Sequence, residues 1–126
     1  MNTSSNWTPL LIFAGVVVVF ILLKRSGQIS TTAARAHLKN GTLVIDVRSP
    51  GEFNAGHLAK GINIPLDEIE TAIPQRVKDR NQALLLHCAS GMRSGLARRK
   101  LKAMGYANAF NLGSLARARN IVESTN

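Results

Sequence analysis

Cysteine is almost missing from this sequence: its 126 residues contain one, Cys88. A single thiol closes no internal disulfide, which excludes a disulfide-stapled scaffold, and alone it holds no metal. His37, His57 and His87 lack ligand spacings such as HExxH, so no metal and no cofactor is expected. Aromatics are scarce, with one Trp, one Tyr and four Phe. No rings interleave with basic residues as a nucleic-acid surface requires, and no nucleic-acid partner is expected. Acids are few as well: 7 Asp and Glu stand against 16 Lys and Arg, for a formal charge of +9. Charge of either sign is absent before Lys24, so the whole imbalance belongs to the remainder. A surface this basic attracts small oxyanions, acidic lipid headgroups or other polyanions.

What is present first is apolar. Leu10 to Leu23 reads LLIFAGVVVVFILL without a break. Counted from Trp7, the span of residues 7–23 would rise about 25 Å as a helix, the short end of a membrane crossing. A signal peptide fits less well, because no basic residue precedes the run and Lys24-Arg25 follows it directly. Val16 to Phe20 is apolar on every face, unlike a helix packed on a soluble core. The sequence therefore predicts an N-terminal transmembrane anchor over residues 1–25 and a soluble domain over 26–126. Lys24 and Arg25 place that domain on the cytoplasmic side of the cell membrane, single-pass with the N-terminus outside.

Ser26-Gly27-Gln28 reads as a linker, followed by a brief strand at Ile29-Ser30. Thr31 or Thr32 caps a helix running to about Lys39, closed by Asn40-Gly41. Leu43–Val47 is a short β-branched run, as a buried parallel strand should be. A helical piece at Glu52–Ala55, a strand at Ile62–Ile64 stopped by Pro65, and a helix over Leu66–Ala72 come next. Ala83–His87 is a third strand, landing on Cys88. A basic helix over Arg93–Met104, a fourth strand at Ala109–Leu112 and a helical tail from Leu115 complete the chain. Strands alternating with helices predict an α/β domain, a small parallel sheet covered on both faces.

Cys88-Ala89-Ser90-Gly91-Met92-Arg93 joins a buried strand to a helix. Ligands of parallel sheets bind beyond the carboxyl ends of strands, where Cys88 falls. Successive amides in such a turn form an anion-binding nest, backed by the positive end of the helix. Gly91 permits a backbone that a Cβ would resist, and Arg93 offers a fork of donors suited to an oxyanion. The same field favours a thiolate. The candidate site is therefore Cys88 as nucleophile, with Ala89, Ser90, Gly91, Met92 and Arg93 cradling a substrate. A buried structural cysteine needs none of these neighbours.

Here a resemblance becomes specific. Asp46-Val47-Arg48, Glu52-Phe53, Gly56-His57-Leu58 and Gly61-Ile62-Asn63-Ile64-Pro65 resemble the rhodanese signature DVR-x3-E-[FY]-x2-GH-[IL]-x2-[AG]-x-N-[IL]-P. Cys88 to Ser94 resembles its C-x-S-G-x-R-S loop, and Leu101-x3-Gly105-Tyr106-x-Asn108 resembles the segment that follows. The resemblance runs over nearly all of residues 29–114. It implies a single-domain rhodanese-type sulfurtransferase. The Cys88 thiolate would take sulfane sulfur from a small anionic donor, thiosulfate or a persulfide, and pass it to cyanide, a thiol or a carrier protein. Cysteine phosphatases of similar fold use Cys-x5-Arg; the shorter Cys-x4-Arg here fits sulfur better than phosphate. The end departs from the family, with Leu112-Gly113-Ser114-Leu115 in place of Leu-x-Gly-Gly and no later Trp. A membrane-tethered, non-catalytic module that binds sulfur or another protein is the alternative.

Other polar residues read as scaffold. Arg48 and Glu52 are four apart around a turn, close enough to pair, with Arg48 alternatively pointing toward the pocket. His57 reads as a hydrogen-bonded structural histidine, His87 as pointing away from its neighbour Cys88, and Asp46 as a buried carboxylate needing partners. The basic run Arg93, Arg98, Arg99, Lys100, Lys102 is a solvated helix face, with room to attract an anionic donor or acidic lipid.

Overall fold

The computed structural model describes residues 6–25 and 27–126. Four parallel strands form one sheet in the order β2-β1-β3-β4, with β1 at Leu43–Asp46, β2 at Ile62–Asn63, β3 at Leu84–Cys88 and β4 at Ala109–Ser114. Side chains alternate across it. Ile45, Val47, Leu84, Leu86 and Cys88 join the core on one face; Val44, Leu85 and Leu112 join the core on the other. α4 (Ile69–Arg76) and α5 (Met92–Ala103) supply residues to the first core. α2 (Thr31–Lys39) and α6 (Leu115–Glu123) supply residues to the second. Both faces are covered, so β3 is buried along its whole length.

Local chemistry sets the element ends. Ser30, not Thr31 or Thr32, caps α2, its hydroxyl accepting from the Ala33 N–H at 3.2 Å. That cap uses up the strand expected at Ile29-Ser30. Only a single parallel bridge, Gln28 to Asn111, remains there. α3 (Pro50–Ala55) begins with a complete capping box between Ser49 and Glu52, with proline in its first turn. The helix expected to end at Ala72 continues to Arg76 through Pro74. Burial of Ile69, Ile73 and Val77, four apart on one side, outweighs the amide that proline lacks. A register shift lies between Leu86 and His87 where β3 meets β4, beside the loop of interest.

The divergent tail packs by other means than a tryptophan. α6 buries Ala118 and Ile121, and Arg117 donates to the carbonyls of Leu112 and Ile29, each at 2.6 Å.

The N-terminal expectation needs correction. α1 (Thr8–Arg25) is helical, with large apolar side chains exposed from Leu10 through Val19. Among the described residues, however, no helix is long and apolar enough to cross a membrane. The unbroken apolar stretch rises about 21 Å, against a hydrocarbon core about 30 Å thick. A transmembrane anchor at residues 7–23 is not supported.

Candidate functional site

The third strand delivers Cys88 to the sheet's carboxyl edge, and the next residues turn back over it. Gly91 makes that turn with φ at +92°, a left-handed conformation that favours glycine. A Cβ there would also press on the Gly113 backbone at 3.3 Å. The turn aims the Gly91 N–H at Cys88 Sγ, 3.0 Å away. From the first turn of α5, the Ser94 hydroxyl lies 3.4 Å from the same sulfur.

Opposed forces act on the thiol. Burial pushes its pKa up; hydrogen bonds from the Ser94 hydroxyl and from the amides of Ser94, Ser90 and Gly91 pull it down. The hydrogen bonds win, and the pKa lies below its ordinary value. The structure thus holds a buried sulfur with its charged form favoured by converging donors. Ala89, Ser90 and Met92 form the exposed outside of the loop, with Met92 57% exposed.

Arg93 is placed differently from its expected role. Its guanidinium is committed to Glu52 in a two-pronged pair, Nη1 to Oε1 at 2.7 Å and Nη2 to Oε2 at 2.9 Å. The Arg48–Glu52 pair that the spacing allows does not form. Glu52 faces Arg93 from α3, while Arg48 turns back to Asp46, with Nη2 to Oδ2 at 2.7 Å. The reason is burial: Asp46 is wholly enclosed and requires a cation, whereas Glu52 is part-exposed. The Arg93 pair and the Ser49 backbone N–H hold the Glu52 carboxyl down to about 2. Its pKa is depressed, so the pair persists above the unfolded value and is lost only as pH falls through about 2. In Arg93→Ala, Glu52 is expected to titrate higher than in wild type but still below the ordinary glutamate value of about 4.3, because the Ser49 hydrogen bonds remain. Carboxyl NMR titration of both proteins checks this; an unchanged Glu52 midpoint would show that the pair does not set its ionisation.

The remaining candidates separate from the sulfur. His57 Nδ1 donates to the Phe53 carbonyl at 2.7 Å while its ring stacks on Phe53 at 3.7 Å between centroids. His87 is buried, its ring nitrogen 3.8 Å from Asp46 Oδ2, and burial lowers its pKa, leaving the imidazole neutral. Among the described residues, no cluster of His, Cys, Asp and Glu is arranged to hold a metal.

Sequence reasoning missed Asn111. It is buried in β4 beneath the loop, donating from Nδ2 to the Gly91 carbonyl at 3.0 Å and accepting at Oδ1 from Ser94 Oγ at 2.7 Å. The available signal was an asparagine inside the apolar run Ala109–Leu112, which a buried strand tolerates only with partners in place.

Comparison with known proteins bears on the family. The family described as "Rhodanese-like domain" matches residues 30–116. The Escherichia coli protein named "Thiosulfate sulfurtransferase PspE" is 39% identical over 71 residues, 56% of this chain and 68% of that protein. A Bacillus subtilis protein named "Uncharacterized protein YqhL" is 31% identical over 112 residues, 86% of this chain and 87% of its own. Among solved structures, "rhodanese with anions from E. coli" is 37% identical with a TM-score of 0.58, covering 60% of this chain and 89% of that one.

Proposed function

The chain belongs to the rhodanese-like domain family, and from that premise we propose that it is a sulfurtransferase working through a persulfide on Cys88. The observation that carries this reading is the set of donors converging on one sulfur, with the Gly91 amide at 3.0 Å and the Ser94 hydroxyl at 3.4 Å. Those donors favour the thiolate, the nucleophilic form. In the first half-reaction the thiolate attacks the sulfane sulfur of thiosulfate. The new S–S bond forms as the old one breaks, sulfite leaves with the bonding electron pair, and Cys88 becomes a persulfide anion. In the second, cyanide, a thiol or a carrier protein attacks the outer sulfur and returns Cys88 to thiolate. No other cysteine exists to intercept the persulfide within the chain, so the acceptor comes from outside.

Two further features support the donor class. The sequence carries a net +9, which draws in anions, and a related solved structure is titled as holding anions. With Arg93 engaged by Glu52, the loop amides are the donors nearest the reacting sulfur. Ala89, Ser90, Gly91 and Met92 are thus the proposed substrate-binding residues, with Arg93 bracing the loop. Cys88 has no exposed surface at rest, so donor entry requires the loop's outer residues to move aside.

The test is sulfur loading of the full chain: incubation with thiosulfate should add one sulfur atom by intact mass, and cyanide should remove it as thiocyanate. Absence of both would leave the non-catalytic, interaction-module reading in its place.

The membrane proposal rests on sequence and exposure. α1 carries an apolar surface with no ionisable side chain before Lys24, and burying such a surface is favourable. We place this apolar surface in the cell membrane, with the domain on its cytoplasmic face. Without the helix spanning alone, attachment is expected to be by partial insertion. Full-length protein should sediment with membranes and residues 26–126 should not; a full-length chain found in the soluble fraction would remove this part of the proposal.

A further inference from the structure

Three polar groups beneath the loop have one side chain in common. Asn111 Nδ2 donates to the Gly91 carbonyl at 3.0 Å, and its Oδ1 accepts from the Gly113 N–H at 2.9 Å and from the Ser94 hydroxyl at 2.7 Å. These bonds fix which way the amide faces, because a flipped amide would set two donors, its own and Gly113's, against each other. Its surroundings are tight. Asn111 is 2% exposed, and a Cβ on Gly95 would come within 3.3 Å of its Nδ2. The residue also accepts a backbone bond at its carbonyl from the Ile29 N–H, 2.9 Å away. The Asn111 amide is therefore a rigid post, held from below and placed against both walls of the sulfur cradle.

We propose that Asn111 is a positioning residue for sulfur transfer, setting the Gly91 turn and the Ser94 hydroxyl so that both face Cys88 Sγ. This inference rests on the Cys88 persulfide reading above. The Gly91 N–H faces Cys88 Sγ while its carbonyl accepts from Asn111 Nδ2, so anchoring the carbonyl helps to hold the amide aimed at the sulfur. Ser94 has one hydroxyl proton and two acceptors within reach, Asn111 Oδ1 and Cys88 Sγ. Asn111 holds the Ser94 oxygen 3.4 Å from the sulfur, and the single hydroxyl proton turns from Oδ1 to Sγ when charge gathers there. In the persulfide the charge moves to the outer sulfur and the hydroxyl returns to Asn111, whose Oδ1 is held meanwhile by the Gly113 N–H, so no buried group is stranded in either state. Arg93, at the loop's end, is engaged by Glu52, and the neutral donors lead in lowering the thiol's pKa.

The experiment uses the full chain, in which Cys88 is the only cysteine, so the ultraviolet absorbance of the thiolate reports on it alone. Wild type, Asn111→Leu and Ser94→Ala are titrated, with Cys88→Ala as the blank, and sulfur loading from thiosulfate is timed at neutral pH. Asn111→Leu should move the thiol midpoint upward and slow loading about tenfold, the scale of one lost hydrogen bond to a charged group. Ser94→Ala should move the midpoint the same way, and the double variant should fall short of the sum. An Asn111→Leu protein that loses stability while its thiol titrates as in wild type would overturn the proposal, because a purely structural asparagine would behave so. Should Asn111→Leu not fold, Ser94→Ala decides, and an unmoved midpoint there counts against the proposal equally. If wild type takes up no sulfur at all, the sulfurtransferase reading fails, while the midpoint comparison still judges Asn111.

Discussion

Cys88→Ser is expected to abolish thiocyanate formation from thiosulfate and cyanide, a loss of at least about a thousandfold, while the domain stays folded. The substitution changes one atom. A serine hydroxyl in the same cradle remains neutral at any pH the domain survives, and oxygen does not carry a sulfane sulfur. The fold tolerates it, because the Gly91 N–H and the Ser94 hydroxyl that faced sulfur find an oxygen acceptor in its place. Cys88→Ala makes the contrast: it strands the buried Gly91 N–H and should cost about 1–3 kcal/mol in urea unfolding, with the same loss of activity. Wild-type loading should also fall in acid. The lowered thiol pKa means that the reactive thiolate, and the stability it contributes, is fully present above the unfolded thiol's value. Both disappear as pH drops through the folded one. Residual turnover in Cys88→Ser above a few per cent would move the chemistry to another residue.

How much of this was readable beforehand depended on whether a residue acts through its neighbours in sequence or across the sheet. Cys88, Gly91 and the helix that follows are contiguous, so a strand, a turn glycine and a helix start were enough to place the sulfur at the sheet's carboxyl edge. The parallel architecture followed from apolar runs such as Leu43–Val47 alternating with helices. The ion pairs are not legible in the sequence because they are decided by depth. Arg48 and Glu52 are close in sequence, yet Asp46 is the enclosed carboxylate and takes the arginine, while Glu52 reaches 41 positions along the chain to Arg93. Asn111 was invisible for a similar reason: it serves the loop only because β4 lies beside β3. The apolar helix α1 is legible as a helix, but a span counted from Trp7 includes residues outside the unbroken apolar stretch.

Asp46→Ala is expected to be the most destabilising single change away from the sulfur, lowering unfolding free energy by about 3–5 kcal/mol. Against a typical total of about 5–15 kcal/mol this threatens the fold itself. The carboxylate is fully buried and accepts from the Arg48 amide and Nε at 3.0 Å and from Nη2 at 2.7 Å. Burial costs the Arg48 guanidinium its hydration; the hydrogen bond and charge of Asp46 restore it and raise the arginine's pKa. Without Asp46 a nearly buried cation keeps the Gly56 carbonyl at 2.7 Å as a neutral partner, which is a poor substitute. The consequence extends to the loop. Arg48 ties the end of α3 through Gly56, and α3 presents Glu52 to Arg93, so loss of Asp46 should also loosen the brace on the loop. Removing both charges together, as Asp46→Ala with Arg48→Met, should recover most of the loss, because no unpaired ion remains. Urea unfolding followed by circular dichroism checks all three proteins. A single Asp46→Ala costing under about 1 kcal/mol, the range of an exposed pair, would mean that water reaches Arg48 and that the pair is not the buried strut its geometry describes.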